Sequence, residues 1–164
     1  PARIYVNMAD VKSGLHPLFL REDELNRGME LLFFAYRDFT AAPDSILAPL
    51  RFGRAHRRVI YFVGRHPDIS VTELLAILKI TKQSLSRVLG QLVRTGFIEQ
   101  RKGTRDRRQR LLSLTEAGRD LERRASDAQR ARVARAYRNA GAEAVEGFYQ
   151  VMLGLMNEND RRRF

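Results

Sequence analysis

Apolar residues near both ends of the chain recur at the spacing of amphipathic helices. Within residues 22–39 one apolar seam advances by alternating steps of four and three residues, through Leu25, Met29, Leu32, Tyr36 and Phe39. Near the other end, a predicted last helix carries an apolar face made of Val145, Phe148, Tyr149, Met152, Leu155 and Met156. Residues 1–21 lack sustained periodicity and are predicted to form an arm. The stretch 41–45, which contains Pro43, is predicted to end the first helix.

The middle of the chain predicts a helix, a tight turn and a second helix. After a helix over about 54–65 comes an apolar helical stretch that Ser70 or Thr72 can cap, and residues 79–81 form the connection. Thr81 can cap the next helix, 82–95, in which an apolar stripe is formed by Leu85, Val88, Leu89 and Leu92. Gly96 stands where the end of a helix favours a left-handed residue.

Two predicted strands and a long helix follow. The strands, 97–101 and 110–114, flank a polar loop over residues 102–109, as in a β-hairpin. Thr115 can cap a helix that begins at Glu116 and is interrupted at residues 139–141, and the tail from Arg161 is predicted to be frayed. These elements predict a mainly α fold with a small β-hairpin wing, which is a winged helix-turn-helix with additional helices at both ends.

The positive charge of the chain is concentrated in this middle part. The 164 residues include 30 Lys and Arg against 19 Asp and Glu, a net charge of +11. Residues 53–110 hold 14 of the basic and four of the acidic side chains, so +10 of the total lies there. A basic module between nearly neutral flanks favours an acidic partner, and nucleic acid is the commonest.

The sequence lacks the signals of several other classes of protein. It has no cysteine, which excludes disulfides, thiolate metal sites and a thiol redox switch. The longest apolar runs are too short to span a bilayer and there is no signal pattern, so we expect a cytoplasmic protein without membrane contact. The three histidines lack metal-ligand spacing and no catalytic motif is present. We therefore expect no metal, no cofactor and no enzymatic activity.

The second central helix and the hairpin loop supply candidate DNA contacts. The helix carries amide, hydroxyl and cationic groups on its non-apolar face, and such a helix fits the major groove, while arginines of a short loop suit the minor groove. The candidate DNA-binding residues are Thr81, Lys82, Gln83, Ser84, Ser86, Arg87, Gln91, Arg105, Arg107 and Arg108. Asp106 is predicted to hold a neighbouring arginine in position rather than to touch DNA.

Several of these patterns have a plainer interpretation. Polar residues of the second helix can form an ordinary solvated face, and for the cluster Arg54, Arg57 and Arg58 solvent exposure is favoured over DNA contact. The charge distribution also allows a non-specific, architectural nucleic-acid-binding protein. Against RNA or single strands, neither the helix nor the loop offers an aromatic stacking platform.

The run from Ser70 to Leu121 resembles the DNA-binding core of the MarR family of bacterial regulators. Residues 71–75, 80–89 and 92–98 match, and the most specific signal is the Asp-x-Arg pair at Asp106 and Arg108, followed by Leu-x-Leu-Thr-x-x-Gly at 112–118. The flanking helices match by pattern only. The resemblance implies an obligate homodimer on double-stranded DNA, with a pseudo-palindromic site whose half-sites lie ~10 bp apart.

The resemblance also implies domains and roles for particular residues. The domains are an arm (1–21), a dimerisation helix and linker (22–52), the DNA-binding core (53–115) and C-terminal dimerisation helices (116–164). Gln83, Ser84 and Arg87 would contact bases, Asp106 would steady Arg108 in the minor groove, and Arg107 would contact phosphate. A small-molecule effector would bind in a cleft, and its candidate residues, each of which can equally be packed or solvated, are Tyr36, Arg37, His56 and Tyr61.

Overall fold

The computed structural model describes residues 18–103 and 107–164 and is mainly helical. Its helices are α1 (Glu22–Leu47), α2 (Arg54–Arg65), α3 (Val71–Leu78), α4 (Lys82–Arg94), α5 (Glu116–Ala140), α6 (Ala142–Leu155) and α7 (Glu158–Arg161). The strands are β1 (Ile69–Ser70), β2 (Ile98–Lys102) and β3 (Arg110–Leu114), and 3₁₀ turns occupy Leu18–Leu20 and Ala48–Leu50. The predicted mainly α fold with a small hairpin is confirmed. None of the helices in these residues is long and apolar enough to cross a membrane.

The first helix continues past residues 41–45, so the prediction that it ends there is wrong. A proline inside a helix removes one backbone hydrogen bond and crowds the preceding turn. Here Pro43 and Leu47 are both fully buried, and this packing offsets the local cost of the proline. On the preceding turn, Thr40 Oγ1 donates to the carbonyl oxygens of Tyr36 and Arg37, each at 3.0 Å.

The hydrophobic core lies in the second of two compact units. The first unit ends at Ala41 and the second comprises Ala42–Phe164, so the boundary falls within α1. In the described residues, the buried apolar cluster consists of Leu47, Phe52, Val59, Ile60, Val63, Ile69, Leu74, Leu85, Val88, Leu89, Leu92, Ile98, Leu112, Leu114, Leu121 and Ala125. Its members come from α2 to α5, from all three strands and from the end of α1, and Phe52 lies in the connection just before α2.

The three strands form one antiparallel sheet in the order β1-β3-β2. The hairpin β2–β3 was predicted, and β2 lies one residue further along the chain than expected. The strand β1 was not predicted, because two residues are too few to show an alternating pattern. Its register places Ile69 opposite Leu112, so both apolar side chains lie in the core. Ser70 is at once the end of β1 and the N-cap of α3, where its Oγ accepts from the Glu73 amide.

Helix α5 begins where the chain passes very close to the loop before β2. Thr115 Oγ1 accepts from the Gly118 amide and donates to the Gly96 carbonyl, and the Thr115 amide donates to the carbonyl of Phe97. A Cβ on Gly118 would lie 2.0 Å from that Phe97 oxygen. The glycine of the Leu-x-Leu-Thr-x-x-Gly motif is therefore required by the close approach of two backbones.

The C-terminal tail contains a short helical turn that was not predicted. Asn157 caps the single turn of α7, and Asp160 of this turn accepts from Lys79 Nζ at 2.6 Å. Arg161 is the last residue of this turn. The bond to Lys79 joins the tail to the connection between α3 and α4, a contact between residues 81 positions apart.

Candidate nucleic-acid interface

The turn between α3 and α4 sets the position of the candidate recognition helix. Lys79 adopts a left-handed conformation with φ of 51° and ends α3. Thr81 then caps α4 as predicted, since its Oγ1 accepts from the Ser84 amide at 3.1 Å and donates to Ser84 Oγ at 2.9 Å. These bonds use the hydroxyl of Thr81, and Ser84 is half-buried. The cap thus orients the first turn of α4.

Helix α4 has one buried and one exposed face. The predicted apolar stripe is buried, and it places in the core Leu85, Val88, Leu89 and Leu92. On the other side, the first turns of the helix bring four candidate residues together, and these line a shallow surface concavity: Lys82, Gln83, Ser86 and Arg87. All four are exposed. Because the apolar stripe fixes the rotation of the helix, the polar face is held outward.

Gln91 differs from the other candidates because it is tied to another helix. It is partly buried, and its Oε1 lies 2.9 Å from Nε2 of His56 in α2. His56 also accepts a hydrogen bond from the backbone amide of Gly53 through Nδ1, at 3.1 Å, and its ring stacks on Phe52. No local pattern in the sequence connects His56 with Gln91, because the two residues are 35 positions apart.

The hairpin presents cations at both its base and its tip. The Gly103 amide donates to the Gln109 carbonyl at 3.0 Å, and Arg107 and Arg108 are exposed between them. The strands add further exposed cations, Arg101, Lys102 and Arg110. Arg105 and Asp106, which were predicted to contact DNA and to steady the wing, lie outside the described residues.

Asp68, a residue that sequence reasoning missed, braces the hairpin. It has a left-handed φ of 65° in the turn after α2. Its Oδ2 lies 2.8 Å from Arg101 Nη2, and its Oδ1 accepts from Ser113 Oγ at 2.8 Å. Hydrogen bonds from Arg101 and Ser113 lower the pKa of Asp68. One carboxylate therefore connects the turn with both strands of the wing.

Arg57 is buried, and the prediction of solvent exposure is wrong for it. Its Nη2 donates to Ser126 Oγ at 2.7 Å and to Gln129 Oε1 at 2.9 Å, and Glu122 Oε1 lies 3.9 Å from Nη1. Its guanidinium also stands over the ring of Tyr61. Burial lowers the pKa of Arg57. Polar side chains of α5 account for the burial, because they supply partners that a view of α2 alone does not reveal.

The four candidate effector residues fall in different units. Tyr36 and Arg37 are in the first unit, where Arg37 pairs with Asp38 at 2.9 Å and its guanidinium lies over the ring of Phe34. His56 and Tyr61 are in the second unit, and both take part in the α2 contacts described above. A role for these four residues in binding a small molecule stays a prediction. Across 18–103 and 107–164, no group of three His, Asp or Glu side chains is placed to hold a metal ion.

The elements α3, α4 and the β2–β3 hairpin define a winged helix-turn-helix protein. A model of the MarR family matches residues 52–109 of the chain. The HTH-type transcriptional regulator PetP of Rhodobacter capsulatus is 51% identical over 147 residues, which cover 90% of this chain and 89% of that protein. This chain belongs to the MarR family.

Solved structures agree on the fold. Streptococcus pneumoniae FabT in complex with DNA has a TM-score of 0.71 at 22% identity, over 80% of this chain and 94% of that one. A mutant of MarR from E. coli complexed with operator DNA has a TM-score of 0.64 at 20% identity, over 87% and 100%. At these identities the likeness concerns the arrangement of helices and strands alone.

Proposed function

We propose that this chain is a sequence-specific DNA-binding transcriptional regulator that acts as a homodimer on a pseudo-palindromic site. The observation that carries the proposal is the outward face of α4, where Lys82, Gln83, Ser86 and Arg87 are exposed together above a fully buried stripe. FabT and MarR, which are similar in fold, were solved in complex with DNA, and this supports DNA as the partner of this chain.

The groups on α4 suit base edges in the major groove. Arginine can form two parallel hydrogen bonds with guanine, and glutamine can form two with adenine. Arg87 and Gln83 are the exposed residues of these two types in the first turns of α4. The amino end of the helix supplies backbone N–H groups and a partial positive charge, which favour a phosphate nearby. We assign base recognition to Gln83, Ser84 and Arg87, and backbone contacts to Lys82 and Ser86.

The wing supplies cations for the minor groove. Arginine side chains are attracted there because the negative potential is strongest where the groove is narrow. Arg107 and Arg108 are exposed at the tip, and Asp68 holds the strands below them through Arg101 and Ser113. We assign minor-groove contact to Arg108 and phosphate contact to Arg107.

Two copies of the chain would present two recognition helices to one site. Exposed large apolar side chains on α1 and α6 support an interface between copies, since a monomeric protein rarely exposes contiguous apolar patches of this kind. A two-fold dimer places equivalent helices one DNA turn apart, which requires half-sites ~10 bp apart.

Selection from a duplex pool with a randomised core of about 20 bp, long enough for two half-sites, tests the proposal. We expect enrichment of one two-fold symmetric motif, bound roughly 10³-fold more tightly than scrambled duplex at near-physiological salt. Arg87→Ala should relax the base preference at one position in each half-site. Selection without any enriched motif, with equal affinity for all duplexes, would instead establish a non-specific, architectural binder.

A further inference from the structure

A hydrogen-bonded chain runs from the start of α2 to the recognition helix. The Gly53 amide donates to His56 Nδ1 at 3.1 Å, and His56 Nε2 lies 2.9 Å from Gln91 Oε1. The imidazole is held flat against Phe52, with ring centroids 4.8 Å apart and an interplanar angle of 10°. His56 is thus fixed on one face by stacking and on its edge by the backbone.

This geometry determines which nitrogen of His56 carries the proton. A backbone N–H can only donate, so Nδ1 must offer its lone pair to Gly53. In the neutral imidazole the proton then resides on Nε2, which donates to its partner on α4. That partner must accept, so the oxygen of the Gln91 amide faces His56, and its nitrogen is the end turned away. The bond therefore selects one of the two orientations of this amide.

We infer that His56 is a positioning residue for base recognition: by holding the oxygen of Gln91, it makes the amide N–H groups the part of this side chain that meets DNA. The inference rests on the proposed function. Gln91 follows Arg87 by one turn on the same stripe of α4 and is partly exposed. In the major groove, guanine offers two acceptors, N7 and O6, whereas adenine pairs fully with glutamine only when the amide oxygen accepts from N6. Gln91 held by His56 accordingly favours guanine over adenine.

The selection with the randomised duplex pool is repeated with variants of the full chain. Gln91→Ala should abolish a guanine preference at one position in each half-site, which identifies the position. His56→Ala should change the preference at that same position, with adenine rising about 10-fold relative to guanine, because the amide is then free to use both its oxygen and its nitrogen. A role of His56 in stability alone would lower the affinity for every sequence and leave base preference unchanged.

A second variant keeps the bond between the helices intact. In Gln91→Glu the carboxylate still accepts from His56, but the amide donor is lost, so the guanine preference should disappear without unfolding. Ser70→Ala is the matched control, since it removes the N-cap of α3 in the same unit and should lower the melting temperature without altering base preference.

The outcomes distinguish a failure of the proposed function from a failure of the role inferred for His56. If the unmodified chain enriches no motif, the proposed function fails before Gln91 is considered. If it enriches a motif and His56→Ala keeps every base preference, or if Gln91→Glu keeps the guanine preference, the proposed function stands and the role of His56 is overturned. A change confined to the position assigned by Gln91→Ala supports the inference.

Discussion

The DNA-binding part of the second unit and the helices near the two ends of the chain use their apolar residues in opposite ways. From Leu47 to Ala125, the apolar faces of helices and strands meet in one buried cluster. On α1, the seam residues Met29 and Leu32 are 66% and 46% exposed. On α6, Leu155 is 66% exposed, and no residue of that helix, which is described in full, is buried.

This difference shows that the same helical pattern can have two structural outcomes within one chain. An apolar stripe is buried by its own chain where strands and helices surround it, as Leu85–Leu92 of α4 is. Where no such surface exists, the stripe is available for another molecule. The DNA-binding part thus owes its stability to contacts within one chain. We propose that the helices with exposed apolar seams, α1 and α6, are stabilised by contacts with a second copy of the chain.

The largest effect is expected from Leu92→Ala in the DNA-binding part, compared with Leu155→Ala in α6. Leu92 is fully buried, so its truncation should lower the free energy of unfolding by ~2–5 kcal/mol at any protein concentration. Leu155→Ala should change it little in dilute solution, and should destabilise the chain only where concentration favours a dimer. Urea unfolding at several protein concentrations measures both. Equal, concentration-independent losses would contradict the proposed division.

An acidic side chain in the α1 seam should separate the copies. Leu32→Glu places a charge where the dimer would exclude water, so we expect a monomer by light scattering and a helical circular-dichroism spectrum. Loss of the second half-site contact should weaken operator binding by roughly 10²-fold or more. Glu30→Gln, a change on the same helix outside the seam, serves as the control. A dimeric Leu32→Glu would show that the interface lies elsewhere.

The sequence predicted those elements whose signals are local. Thr81, Thr115 and Gly96 mark helix ends through chemistry within a few residues, and the stripe of α4 has the spacing of a helix. Continuation of α1 through Pro43 could not be predicted in this way, because it goes with burial of Pro43 and with the place of Leu47 in a core cluster whose other members lie further along the chain. The strand β1 depends in the same way on pairing with β3.

The candidate interface was predictable to a similar extent. Exposure of Lys82, Gln83 and Arg87 follows from the stripe that faces the core. The hydrogen-bond partners of Gln91, Asp68 and Arg57 lie 33 to 72 positions away along the chain, so no pattern within one helix indicates them. Arg57 illustrates the physical reason: a cation on a predicted surface becomes buried when a facing helix supplies hydrogen-bond acceptors.

Alanine substitutions at two glycines, one packed against the backbone before β2 and one on α6, should have opposite effects on stability. Gly118→Ala should lower the free energy of unfolding by roughly 1–3 kcal/mol or more, because its Cβ would meet the Phe97 carbonyl at 2.0 Å. Gly147→Ala in α6 has open space around the new methyl group and should stabilise the helix by about 0.5–1 kcal/mol. Thermal unfolding of both variants measures the difference. A destabilising Gly147→Ala would indicate that a partner already packs closely against that face of α6.

The smallest effect concerns two ion pairs. Asp68 pairs with Arg101 of the wing, 33 positions away, whereas Asp127 pairs with Arg130 within α5. Asp68 has a lowered pKa because Arg101 and Ser113 bond to its ionised form, so its contribution to stability is complete at neutral pH and is lost as the pH falls through that lowered pKa. Asp68→Asn keeps a residue that tolerates the left-handed turn. At pH 7 the melting temperature of this variant should lie slightly below that of the unmodified chain. The difference between the two melting temperatures should disappear in acid.

Asp127→Asn is the control, since Asp127 pairs only three residues along α5 with Arg130, at 2.6 Å. Both ion pairs are about half exposed, but the Asp127 pair joins two residues of one helix, whereas Asp68 also accepts from Ser113 and connects a turn with two strands. Because an exposed pair within one helix adds little, this variant should differ from the unmodified chain less than Asp68→Asn does. Circular-dichroism melts over a series of pH values give both differences. If the difference in melting temperature between Asp68→Asn and the unmodified chain stays constant down to strongly acid pH, the Asp68 carboxylate does not brace the wing through its charge.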